Sequence, residues 1–129
     1  MKRSLILLPL FIGANLFAQE WKYVTATDDG TIYHFKPNND NTAWIKQTSN
    51  KIEYYPDNKV GSKKTTDGYK ILLYKFDCSK KQLGMIQVTI YNKDGKYLNN
   101  FETKEFLVEM SYVVPDSVGE NILNAMCNY

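Results

Sequence analysis

Apolar and polar side chains alternate along much of the chain beyond residue 20, a pattern typical of β-strands with one buried face. Successive side chains of a strand point to opposite sides, so residues two apart share a face. In residues 69–78 this rule places Leu72, Tyr74, Phe76 and Cys78 on one apolar face. The same pattern predicts six strands, at residues 21–27, 31–36, 42–49, 69–78, 82–91 and 105–113. Asn, Asp and Gly residues between several of them are typical of hairpin turns.

The last part of the chain changes to a helical period. Ser117 and Glu120 have the spacing of a capping box, and Pro115 stands just before them, so a helix is predicted to begin here. One stripe at helical spacing follows, made of Val118, Ile122, Ala125 and Met126. A helix of about ten residues is marginal by itself in water and needs an apolar surface. The simplest arrangement lays it on the apolar face that carries Cys78, with a disulfide from Cys127 holding it there.

Residues 50–68 are predicted to form a long polar loop, because they contain Pro56, two glycines and many charged residues. Long loops in compact domains are either mobile or functional. Tyr54 and Tyr55 lie in this segment, where burial is hardest to arrange, and exposed tyrosines near lysines are typical of protein-binding surfaces. They are therefore candidates for contacting a partner. The alternative is that they pack in the core or in cross-strand pairs, as most aromatic residues of a small sheet do.

The first 18 residues have the layout of a secretory signal peptide: two cations, an apolar run and a small residue at Ala18. Cleavage there leaves residues 19–129 as a single domain, exported by a Sec-type signal. In an exported chain the two cysteines, Cys78 and Cys127, are expected to form one disulfide, and two unpaired thiols are the alternative. A metal site would need more ligands than this pair and the lone His34 supply.

The charge of the chain changes once the signal peptide is removed. The whole chain has 16 Lys and Arg against 14 Asp and Glu, a formal charge of +2. Removal of Lys2 and Arg3 leaves 14 lysines against 14 carboxylates and no arginine. A nucleic-acid partner is therefore not expected, since phosphate neutralisation needs a basic excess. No apolar stretch beyond the signal reaches the length of a membrane span, so no transmembrane segment is expected after cleavage.

Catalytic residues are not indicated by any motif. His34 is the single histidine, and as a general base it would need an adjacent nucleophile and an orienting carboxylate. The carboxylates are scattered through turns and polar faces, where solvated charge is the expected role. Haem ligation by one histidine without a haem motif is poorly supported. The sequence therefore predicts a protein that is not an enzyme and has no cofactor.

Several short motifs occur in a recognisable order along the chain. They are Trp21, Asp29-Gly30, Tyr33, Phe76-Asp77-Cys78, Tyr91 and Asp94-Gly95-Lys96, followed by residues 113–120 (VVPDSVGE) and Cys127. This order resembles the surface-adhesin protein E-like family of small exported bacterial proteins. The closing run is the most specific part, because family members commonly read Val-Pro-Gly-Ser-Val-Gly-Glu before a cysteine. Asp116 stands in place of the glycine here, and the fit is loosest over residues 37–68.

The resemblance implies a six-stranded antiparallel sheet with a C-terminal helix packed on its concave face and tied to it by a disulfide between Cys78 and Cys127. The namesake of the family is an outer-membrane adhesin for host matrix and plasma proteins that has also been linked to haem. Its ligand-binding segment has no counterpart here, so no binding residue is transferred. The namesake is lipid-anchored, whereas this chain has no cysteine at the predicted cleavage site, so no lipid anchor is expected.

Our leading functional hypothesis is an exported, non-enzymatic binding or adhesion module that recognises host or envelope proteins through its loops. Two alternatives remain open. One is a periplasmic carrier of a small, haem-like ligand, and the other is a periplasmic inhibitor or accessory protein of envelope assembly. The sequence is compatible with the periplasm, the outer surface or the medium, and it does not determine the oligomeric state.

Overall fold

A computed structural model describes residues 20–56 and 61–129. The predicted signal peptide lies outside these residues. Six strands follow one another in the chain: β1 (Lys22–Ala26), β2 (Ile32–Pro37), β3 (Thr42–Tyr54), β4 (Lys64–Asp77), β5 (Gln82–Asn92) and β6 (Tyr97–Glu102). A two-residue strand β7 (Ser111–Tyr112) and the helix α1 (Val118–Cys127) complete the described part. The six strands pair in sequence order, every pair antiparallel, and β7 pairs with the beginning of β5. This confirms the predicted six-stranded antiparallel sheet with a C-terminal helix.

The two faces of the sheet are defined by the strand register. Phe35, Ile45, Leu72 and Val88 are cross-strand partners in successive strands and all are buried. They form the core together with Ile122 and Met126 of α1, so we call their side of the sheet the helix face. Hydrophobic burial of this kind is the main force that holds a short helix on a sheet. We call the opposite side the open face.

The end of the helix is fixed to the sheet by a covalent bond. Cys78, directly after β4, is joined to Cys127 in the last turn of α1, with 5.8 Å between their Cα atoms. The predicted disulfide is thus confirmed, and the alternative of two unpaired thiols is wrong.

The beginning of the helix is also as predicted. Ser117 is the N-cap, and its Oγ accepts a hydrogen bond of 3.2 Å from the backbone N–H of Glu120. The Glu120 carboxylate reaches back to the N–H of Asp116 at 3.4 Å. Asp116 has a φ of +61°, in the left-handed region that glycine adopts without a steric penalty. This explains why glycine is common at this position in the family that the sequence resembles. Aspartate is one of the few other residues that tolerate such a φ.

The sixth strand lies earlier in the sequence than predicted. Residues 105–113 contain a 3-10 turn (Glu105–Leu107) and only the short β7, whereas β6 occupies Tyr97–Glu102. Val108 and Met110 lie directly over Gly84 of β5, where a Cβ atom would come within 2.4 Å and 2.8 Å of them. The apolar side chains of Val108 and Met110 thus reflect packing over that glycine, and only Ser111 and Tyr112 of this segment pair in the sheet.

The predicted loop at residues 50–68 is mostly strand. β3 continues to Tyr54 and β4 begins at Lys64, with Ile52 paired to Thr66 and Tyr54 to Lys64. Ile52 is only 1% exposed, so burial stabilises this extension in spite of the polar residues around it. The described residues of this outer hairpin, 50–56 and 61–67, are called the arm below.

The arm bends back over the helix face. A register shift lies between Ser49 and Ile52, and β-bulges of this kind bend a strand. Gly68, the partner of Ser49 on β4, approaches β5 so closely that a Cβ atom would lie 2.1 Å from the carbonyl oxygen of Tyr91. A strand glycine often marks such a close backbone approach. The bulge and the glycine thus place the bend at the same level of both strands.

Candidate binding surfaces

The open face carries a row of aromatic rings that crosses the sheet. Tyr69 and Tyr91 are stacked, with ring centroids 5.1 Å apart and an interplanar angle of 21°. Tyr97 meets the edge of Tyr91 at 6.4 Å, and the Lys46 ammonium lies 4.6 Å from the centroid of the Tyr69 ring. Aromatic pairs and cation–π contacts of this geometry stabilise neighbouring strands. Tyr97, at the edge of the sheet, is still more than half exposed (54%).

His34 belongs to the same face. Its ring meets the edge of Tyr23 at a centroid distance of 6.0 Å and an angle of 82°, and Tyr23 is exposed. Within residues 20–56 and 61–129, His34 has neither an ion-pair nor a hydrogen-bond partner. The structure therefore places the single histidine in an aromatic contact.

Lysines are the other charged component of this face. Lys36, Lys46 and Lys75 are half-buried on β2, β3 and β4, and the register places all three on the open side of the sheet. The ion pair recorded for the described residues lies elsewhere, between Lys63 and Glu53 at 2.8 Å. None of these three ammonium groups has a carboxylate within ion-pair distance in the described part of the chain, an arrangement that favours an acidic partner.

Tyr54 and Tyr55, the two predicted binding residues, both lie on the arm. Tyr54 ends β3 and packs against the core, and Tyr55 follows it. The backbone N–H and C=O of Tyr55 are both hydrogen-bonded at 2.7 Å to the side chain of Asn99 on β6. The predicted loop location is therefore wrong for Tyr54, whereas Tyr55 does lie in the connection between β3 and β4, where the buried Asn99 holds it in place. A role of the two tyrosines in binding stays a prediction.

Beneath the arm the structure contains a small cleft of about 220 Å³. Tyr54, Tyr55, Glu53 and Lys63 of the arm form one wall, and residues of β4, β5 and β6 form the floor. Sequence reasoning did not bring these strands together. The one available sequence signal was the Asn99-Asn100 pair within a strand-like segment. An asparagine buried in a sheet requires a specific hydrogen-bonding partner, which here is the backbone of Tyr55.

A larger cavity of about 410 Å³ lies beside the disulfide, between the β2–β3 turn and the end of α1. Phe35, Phe76 and Met126 contribute apolar surface to it, and the ring of Tyr129 stands 6.0 Å from that of Phe35. The β2–β3 turn is stiffened by Asn39, whose Oδ1 accepts hydrogen bonds from the backbone and hydroxyl of Thr42 and from the Asn41 N–H.

Metal-binding clusters and membrane-spanning helices are both absent from the described part of the chain. No group of three or more His, Cys, Asp or Glu side chains in residues 20–56 and 61–129 could hold a metal ion. In the same part of the chain, no helix is long and apolar enough to cross a membrane.

These features define a class of small scaffold: a curved antiparallel sheet, with a helix clamped to one face by a disulfide and an aromatic, lysine-bearing face on the other side. The sequence profile of the family described as Surface-adhesin protein E matches residues 21–128, nearly the whole chain. The protein therefore belongs to this family, as the order of its motifs predicted. No curated protein and no solved structure matches the chain.

Proposed function

We propose that the protein is an exported, non-enzymatic adhesin that binds host or envelope proteins through the open face of its sheet. The observation that supports this most directly is the combination of the tyrosine row with three lysines that have no carboxylate partner in the described part of the chain. Membership of the surface-adhesin protein E family supports the same function.

The chemistry of the open face suits protein recognition. Tyrosine and tryptophan supply a large contact area at a low cost in conformational entropy, and Trp44 lies half-buried on this face with the tyrosines. Lysines at the surface steer an acidic partner toward the face and raise the association rate. The arm is a poorer site for this role, because its end is held by Asn99 and its Tyr54 packs against the core.

Charge neutralisation of the open face tests the proposal. In the triple variant Lys36→Gln, Lys46→Gln, Lys75→Gln, we expect affinity for an acidic matrix, plasma or envelope protein to fall about tenfold or more. The matched control replaces Lys51, Lys80 and Lys93 by glutamine, since these exposed lysines lie in the arm and in turns and give the same change in net charge.

The measurement is surface plasmon resonance against a panel of purified matrix, plasma and envelope proteins at two salt concentrations. Circular dichroism and thermal unfolding verify that both triple variants are folded. Equal loss of binding in the two variants would assign the effect to net charge alone, and no binding of the wild type to any panel member would contradict the proposal.

A further inference from the structure

The cleft beneath the arm has the lining of a small-molecule site. Val88 and Ile90 of β5 are buried and form an apolar floor with Phe101 of β6, which is 44% exposed. Tyr54 and Tyr55 of the arm contribute to the wall above it. Ligand sites combine such apolar surfaces with a few polar groups that fix the orientation of the ligand.

The charged group on the floor of this cleft is Lys70. It is half-buried on the helix face, and its cross-strand partners are the uncharged Gln47 and Ile90. In the described part of the chain its ammonium has no ion-pair, hydrogen-bond or ring partner. An ammonium beside buried aliphatic side chains is partly desolvated, so an anion brought to it gains more than it would at an open surface.

The rim of the cleft is electrically balanced. Lys63 and Glu53 form an ion pair of 2.8 Å there, and both side chains are about half exposed. The pair contributes no net charge, so among the described residues that line the cleft one positive charge remains, that of Lys70. A ligand with one negative charge therefore complements the cleft, whereas a dianion would exceed its charge.

The wall of the cleft is held rigid before any ligand arrives. Asn99 is fully buried and bonds both the N–H and the C=O of Tyr55, which positions the arm above the floor. The hydroxyl groups of Tyr54 and Tyr55 have no hydrogen-bond partner within the described residues. A rigid site of this kind avoids much of the entropic cost of ordering on binding.

We propose that this cleft binds a small monocarboxylate with an apolar body, its carboxylate on Lys70 and its ring or short chain against Val88, Ile90 and Phe101. The volume of about 220 Å³ is below the ~300–1,000 Å³ of sites for drug-sized ligands, so it suits a single ring or a short chain. The same chemistry is found in a free aromatic or aliphatic acid and in the C-terminal residue of a peptide. The cleft and the open face lie on opposite sides of the sheet, so this proposal and the proposed adhesin function can fail separately.

The test is an NMR titration of the disulfide-bonded protein with 3-phenylpropionate, and with its uncharged amide as the ligand control. We expect saturable shifts of the backbone signals of Tyr55, Val88 and Phe101 with the acid, and at least tenfold weaker binding of the amide. The peptide acetyl-Gly-Gly-Phe, with a free or an amidated C-terminus, distinguishes the two sources of the carboxylate. Tighter binding of the free peptide than of 3-phenylpropionate would assign the site to peptide ends, and the reverse would assign it to small acids.

Two variants locate the site. Lys70→Gln is expected to weaken binding of 3-phenylpropionate about tenfold, while Lys80→Gln, in the exposed turn after β4 and outside the cleft, leaves it unchanged. Phe101→Ala, at the sheet edge, removes floor area by a change independent of charge and is expected to weaken binding as well. No saturable shifts in the wild type, equal binding of acid and amide, or an unchanged affinity in Lys70→Gln would each overturn the proposal.

Discussion

The side-chain amide of Asn99 bonds the backbone of Tyr55 twice, at 2.7 Å each, across 44 residues of sequence. Asn99 lies on β6 and Tyr55 follows β3, and β4 and β5 separate these strands in the sheet. Three strand spacings of about 4.8 Å would keep them apart in a flat sheet. The contact therefore requires the arm to curl over the helix face, and it closes the cleft that the arm forms with β5 and β6.

Asn99→Ala is expected to destabilise the protein by about 2–4 kcal/mol, because it leaves two backbone groups of Tyr55 without their partner. Urea unfolding measures the loss, and hydrogen exchange of the Tyr55 amide should become faster even under native conditions. The matched control is Asn100→Ala, which removes a side-chain hydrogen bond of 2.9 Å to Thr89. We expect a cost of about 1 kcal/mol there. Equal effects of the two substitutions would contradict a special role for Asn99.

The parts of the fold that sequence predicted are those set by local patterns. Alternation identified the strand that precedes Cys78, and the spacing of Ser117 and Glu120 identified the helix start, since both signals depend on residues close together in the chain. The arm and β6 depend instead on distant partners. Polar residues of 50–68 become strand because Ile52 is buried by the core and Asn99 holds Tyr55. No local pattern contains that information.

The candidate sites show the same division. Sequence identified Tyr54 and Tyr55 as residues of interest through their composition and placed them in an exposed loop. Their half-buried position above Lys70 depends on the bend of the arm, which only the three-dimensional arrangement shows. In the same way, the sequence shows how many lysines the chain has, but their grouping on the open face follows from the register of β2, β3 and β4.

The bend of the arm depends on Gly68. A Cβ atom there would lie 2.1 Å from the Tyr91 carbonyl oxygen, so Gly68→Ala must move backbone and is expected to cost about 1–3 kcal/mol. Gly119→Ala is the matched control. A Cβ atom at this helical position has ordinary contacts of 3.5 Å and more, and alanine favours a helix over glycine by up to about 1 kcal/mol. Chemical denaturation should thus show a lower free energy of unfolding for Gly68→Ala and a higher one for Gly119→Ala. Stabilisation by Gly68→Ala would contradict the close approach of Gly68 to the Tyr91 carbonyl.

The positive φ of Asp116, just before α1, leads to a prediction about stability. Its φ of +61° costs little for glycine, more for aspartate and most for residues that lack a local polar group. Asp116→Ala is therefore expected to destabilise the protein by about 1 kcal/mol, while Asp116→Gly stays within about 0.5 kcal/mol of the wild type. Thermal unfolding of the two variants measures the difference. A more stable alanine variant would show that the positive φ imposes no strain.

The turn after β4 predicts a dependence of stability on pH. Asp77 Oδ1 accepts hydrogen bonds from the Lys80 N–H (2.9 Å) and the Ser79 hydroxyl (2.8 Å), and they lower the pKa of this carboxyl. A folded-state pKa below the unfolded value adds stability that is complete above the unfolded pKa and is lost as the pH falls through the folded one. Asp77→Asn should therefore flatten the decline in the free energy of unfolding between about pH 5 and pH 2.

Urea unfolding at a series of pH values measures this effect. The control is Asp94→Asn in the β5–β6 turn, where the carboxylate accepts no hydrogen bond from a described residue. Parallel pH profiles for the wild type and Asp77→Asn would contradict the assignment.

The disulfide makes the largest predicted contribution of a single bond. Cys78 and Cys127 are 49 residues apart, and closing a loop of this length removes about 4 kcal/mol of conformational entropy from the unfolded chain. The double variant Cys78→Ser, Cys127→Ser is expected to lose about that much of a total that is typically 5–15 kcal/mol, with the end of α1 loosened first. Chemical denaturation and hydrogen exchange of the α1 amides measure the two effects. The reduced wild type is the matched control, because it lacks the same bond without any substitution. A double variant within about 1 kcal/mol of the oxidised wild type would show that core packing alone holds the helix on the sheet.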